Sequence, residues 1–143
     1  MQDTPQTGSK SGAERFLPEN LRAAFDRAVV AGQRLMYSEQ MKEMIDQLLA
    51  TDDPPEKKVA EGIAGLMGAL MQKSKPQFPP QLVVPVAVEL AYEGVQFLTE
   101  AGKMEPLSEE QMRTAIQATI ALVVTKMGAK PEQVRAMMSG QRG

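Results

Sequence analysis

Apolar residues recur along most of this chain at spacings of three and four, the period of a helix that rests on a core. Leu21, Phe25, Ala28, Val29, Leu35 and Met36 fall on one stripe when turned at about 100° per residue. Tyr37, Met41, Met44, Ile45 and Leu48 keep the spacing but fall on nearly the opposite side. Two arrangements accommodate the reversal. Either the helix breaks near Ser38, which can cap a new one, or one long rod packs a different body on each side. Pro18 suits a first turn at the start of this segment, and Thr51-Asp52-Asp53-Pro54 stops it after Ala50.

Further helices follow by the same signals. A second segment starts with Asp53 as cap and Pro54 or Pro55 in its first turn, and runs to about Lys73. The stretch from Lys73 to Pro80 reads as a linker, extended before each proline. A third runs from about Pro80 to Ala101, with Gly102 as a left-handed cap and Pro85 either in the first turns or at a kink. Ser108 and Gln111 make a capping box for a helix that ends at Gly128, and Pro131 opens a last short one ending near Gly140. Nothing alternates with a period of two between hairpin turns, so no sheet is expected. The predicted fold is all-α, a bundle of five to six helices. Residues 1–16, polar and carrying Pro5, Gly8 and Gly12, form a flexible amino-terminal arm; 17–140 form one helical domain, and 141–143 a tail.

The third segment is apolar on most of its circumference and should be the central helix. Val83, Leu90, Phe97, Ile116, Ile120 and Val123 are the expected core. Its polar strip is Glu89, Glu93, Gln96 and Glu100, spaced four, three and four, which reads as a solvated seam or a docking line for basic side chains. Paired carboxylates also suggest acid–base or metal chemistry. A di-metal carboxylate site normally recruits histidine from facing helices, and this chain has 0 histidines.

Three glycines interrupt the second segment. Gly62, Gly65 and Gly68 lie together, opposite Val59, Ile63, Leu66 and Leu70 and beside Lys58 and Glu61. Each exposed mid-helix glycine costs about 1 kcal/mol against alanine. Close approach of another helix is a natural reason for keeping them. Their spacing inside a helix, with no strand before it, disqualifies a phosphate or dinucleotide loop.

Composition narrows the function classes. With Cys 0 there is no thiol nucleophile, disulfide or thiolate metal site. Without histidine the chain also lacks the side chain that titrates near neutrality unaided. No catalytic, cofactor-binding or metal-ligating residue is expected. Net charge is −2, and no arginine fork with interleaved aromatics appears, so sequence-specific nucleic-acid binding is not expected. The amino terminus lacks the basic start and apolar stretch of a signal peptide, so synthesis in the cytoplasm is expected. The longest apolar runs, Gly62 to Met71 and Leu82 to Ala91, fall short of the roughly 20 residues that span a bilayer.

What remains points to protein contacts. Met 11 is high beside 4% aromatic, and methionine suits surfaces that repack against partners. The carboxyl end is basic, with Arg113, Lys126, Lys130, Arg135 and Arg142 against Glu132, while the stretch from Val86 to Glu110 is acidic. Such polarity favours head-to-tail contact between copies or a basic tail on an acidic partner. The expected contact residues are Tyr37, Met41, Met44 and Leu48, the glycines Gly62, Gly65 and Gly68, and the acids Glu89, Glu93 and Glu100.

The run from Leu35 to Leu49, continuing to Gly68-Ala-Leu-Met71 and on to the Gln/Met/Ala-rich end, resembles small helical proteins encoded among bacteriophage virion genes. The resemblance is one of style, covers about residues 30–140, and carries over no site residue. It implies a virion component or assembly factor, used in several copies with other virion proteins, and located in the virion. A helical adaptor or regulator of a host protein, with the Met-rich face as its groove, and a membrane-active amphipathic module are the other readings.

Overall fold

The computed structural model describes residues 17–73 and 80–126. The expected arm (1–16), the interior of the linker (74–79), the last short helix and the tail lie outside these residues. The described chain forms five helices and no strand: α1 Glu19–Met36, α2 Glu39–Leu49, α3 Pro55–Lys73, α4 Pro80–Glu100 and α5 Glu109–Lys126.

The phase reversal is resolved as a break. Ser38 is extended, its Oγ accepts the Met41 N–H at 3.3 Å, and the same hydroxyl donates to the Leu35 carbonyl at 2.6 Å. One side chain thus closes α1 and opens α2. The rod alternative does not occur. At the far end of α2, Lys58 of α3 donates to the Leu49 carbonyl at 3.1 Å and Thr51 to that of Leu48 at 2.8 Å, satisfying carbonyls the helix cannot.

Asp53 is not the cap of α3. The Pro54 carbonyl accepts the first helical bonds, from Lys57 and Lys58, and Pro55 is the first helical residue. Asp53 instead pairs with Lys57 at 3.6 Å on the surface. The end of α4 follows the expected pattern. Gly102 has φ +73, Lys103 N–H reaches the Leu98 carbonyl at 2.9 Å and Gly102 N–H that of Thr99 at 3.1 Å, a Schellman motif. The capping box is reciprocal: Gln111 N–H donates to Ser108 Oγ at 3.1 Å, and Ser108 N–H to Gln111 Oε1 at 2.9 Å.

Side-chain neighbours fix the directions. Gly32 faces Leu90, Met36 faces Gly94 and Tyr37 meets Phe97, so α1 and α4 run parallel. Met44 meets Gly65 and Leu48 meets Gly62, so α2 folds back antiparallel on α3. The centre is shared, which corrects the expectation of one central helix. α4 packs on α1, α3 and α5, but α3 packs on all four others. Small residues make this possible: Ala60 and Ala64 of α3 and Ala115 and Thr119 of α5 are buried, Thr119 satisfying its hydroxyl on the Ala115 carbonyl at 2.7 Å.

Val83, Leu90, Ile120 and Val123 are buried as expected. Phe97 and Ile116 are only half-buried. Phe97 stands at an edge under Tyr37, and Ile116 belongs to a smaller cluster with Val84, Val88, Ile120 and Val124 between α4 and α5. Pro85 sits inside α4, beyond its first turn. Residues Gln81–Glu100 are long and apolar enough, by length and composition, to cross a bilayer, a longer stretch than the apolar runs alone suggest. Half of that stretch is buried within the bundle, in which α4 packs on α1, α3 and α5.

Candidate protein-contact surface

The residues expected to form one contact face do not stay together. Met41 is buried at 4% exposure, because the cap at Ser38 turns α2 so that its first apolar residue enters the main core. Met44 and Leu48 are half-buried. A β-carbon on Gly65 would lie 3.1 Å from Met44 Sδ, and one on Gly62 would lie 3.5 Å from Leu48 Cδ1. Two of the three glycines therefore admit a helix, but the helix is α2 of the same chain. Gly68 has nothing within 4 Å among the described residues.

The acidic strip is also divided. Glu89 is 2% exposed, which corrects the reading of a solvated seam. It stands midway along α4, a helix that packs on α1, α3 and α5, and carboxylates enter such interiors only with partners. Glu93 is half-buried, and Glu100 is exposed, accepting from Gln96 Nε2 at 3.0 Å. Among the described residues no group of three or more acids is placed to hold a metal ion.

Tyr37 is different. It is 66% exposed, and its ring meets Phe97 edge to face at 4.8 Å and 83°. Phe97 in turn lines an apolar pocket between α2, α3 and the end of α4, with Met41, Ile45, Leu48, Ile63 and Leu98 around it and Lys58 as its one charged residue. The pocket contains about 480 Å³ of empty space, mouth included. Gly62 and Gly94 keep it open by withholding side chains.

A second exposed apolar residue escaped the sequence reading. Val30 is 44% exposed, and Val30 and Tyr37 are the large apolar side chains most open to solvent among the described residues. They are seven residues apart, about two helical turns, so they share the outer face of α1. The signal was present: Ala23, Arg27, Val30, Arg34 and Tyr37 keep a four–three–four–three spacing of their own, and all five are exposed. It was obscured because Val30 adjoins Val29, which carries the buried stripe.

On the same helix, burial raises the carboxyl of Asp26 above its ordinary 3.8. No protein-family model, curated protein or solved structure matches the chain.

Proposed function

We propose that this chain is a non-enzymatic structural or assembly subunit that works through helix faces presented to other proteins, chiefly further copies of itself. The observation that carries the reading is the outer face of α1. Val30 and Tyr37 stand in solvent there, with the exposed Arg27 and Arg34 between and beside them. Tyrosine and arginine are the residues that protein interfaces concentrate, because each offers large area with a directional polar end. The setting we infer is a phage particle, on the resemblance over residues 30–140 alone.

The apolar pocket favours a second reading, the adaptor. A groove lined by Met41, Ile45, Leu48 and Phe97 suits one or two apolar side chains of a partner helix. Solution mass separates the two. Sedimentation of the full chain over a wide concentration range should give a species of several copies. A monomer throughout would sink the assembly reading and leave the adaptor.

A further inference from the structure

The outer faces of α1 and α2 carry opposite charge at matching intervals. On α1, Arg27 and Arg34 are exposed and seven residues apart, about 10.5 Å along the axis, with Val30 between them and Tyr37 beyond. The half-buried Asp26 lies to one side of this line, Glu19 closes it at the amino end, and Arg22 is turned to the Leu17 carbonyl at 3.4 Å. On α2, Glu39, Glu43 and Asp46 are exposed at spacings of four and three, so Glu39 and Asp46 are also about 10.5 Å apart. Lys42 flanks them, and Asp46 is shared with Lys103 at 3.3 Å. A shallow depression runs among Glu39, Gln40, Lys42, Glu43 and Asp46.

From this we propose that copies of the chain join head to tail, the α1 face of one seated on the α2 face of the next. The inference rests on the assembly reading above and names its contact. Arg27 and Arg34 reach the carboxylates of Glu39 and Asp46, which keep the same interval, with Val30 over the stems of Lys42 and Glu43 and Tyr37 over Ala50. Charge decides against the simpler alternative, two α1 faces back to back. Antiparallel, centred between Val30 and Ala31, that pairing sets Arg27 against Arg34 of the second copy; parallel, it sets each arginine against itself. Like charges so placed at an interface cost several kcal/mol. The contact is therefore between two different surfaces, and each copy added leaves one of each free. Such contacts close into rings or run on as filaments.

Two charge-reversed chains test this, with sedimentation velocity as the readout and far-ultraviolet dichroism to confirm the fold. Arg27→Glu with Arg34→Glu makes both faces acidic; Glu39→Lys with Asp46→Lys makes both basic. All four positions are exposed, so folding should be unaffected. Each variant alone should associate more than about tenfold more weakly than the wild type. An equal mixture should recover wild-type association, since every contact again joins opposite charges. High salt should weaken both the wild type and the mixture. If the α2 variant alone assembles like the wild type, or the mixture fails to recover, the head-to-tail contact is wrong while the assembly reading stands. A wild type that stays monomeric at every concentration overturns both.

Discussion

Leu90 occupies the space where residue 32 would carry a side chain. A β-carbon on Gly32 would lie 2.6 Å from Leu90 Cδ1 and 3.0 Å from Cδ2, and both residues are buried in the α1–α4 contact. Parallel helices α1 and α4 approach closely at this point because one supplies no side chain and the other fills the gap. Helix propensity alone would have alanine at 32 stabilise by about 1 kcal/mol. Overpacking a closed site costs about 1–3 kcal/mol.

Gly32→Ala should therefore destabilise by about 1 kcal/mol, against its propensity. Leu90→Ala alone should cost about 2–5 kcal/mol. The two changes together should cost clearly less than their sum, because the new methyl enters the space Leu90 leaves. Denaturant unfolding of the two single variants and the double variant measures this coupling. Strict additivity would mean the two residues do not compete for space.

The glycines of α3 should separate by what faces them. Gly68→Ala has open space and should stabilise by up to about 1 kcal/mol. Gly62→Ala gains the same propensity at ordinary contact with Leu48, and Gly65→Ala must displace Met44 Sδ, so the order of benefit is 68, then 62, then 65. Unfolding midpoints for the three variants check it. Equal gains at all three would show that α2 does not press on this face.

Ser38 joins two helices, and its loss should be felt in both. Ser38→Ala should cost about 1 kcal/mol, since it removes the Met41 cap and the bond to the Leu35 carbonyl together. A continuous rod would gain stability from the same change. The sign of the shift in thermal midpoint is the measurement.

Two neighbours in one sequence stripe should respond differently to charge. Met41→Asp places a carboxylate in the core and should cost more than about 3 kcal/mol, whereas Tyr37→Asp should leave the fold intact. Dichroism melts of both would show this. Similar melts would mean that Met41 is not buried by α2 docking.

Asp26 should make stability fall slightly with rising pH. Its folded carboxyl titrates above the unfolded one, so protonated it costs nothing, and the penalty appears as the pH rises from about 3.8 through the folded value. Asp26→Asn should then be more stable than the wild type at neutral pH, with the difference vanishing below about pH 3. A difference that stays constant across that range would remove the desolvation account.

Local chemistry determined most of the elements. Prolines 18, 55 and 80, the Ser108–Gln111 box and Gly102 mark the ends of helices through bonds made within a few residues, so they are legible without a fold. The apolar stripe of Phe25 and Val29 likewise predicts burial, because a helix with one apolar face has one way to hide it. Tertiary structure decided what lies across each face. Whether Ser38 broke the helix depended on α2 finding α3, and the meaning of Gly62 and Gly65 depended on Met44 and Leu48 arriving opposite them. The depth of Glu89 belongs to a helix packed on α1, α3 and α5, and no local pattern in the chain reveals how closely they approach. Gly32 attracted no notice in the sequence, since a lone glycine has a reason only once Leu90 is beside it. Periodicity tells which side of a helix is apolar; which neighbour covers that side, and how closely, is settled by packing between residues far apart in the chain.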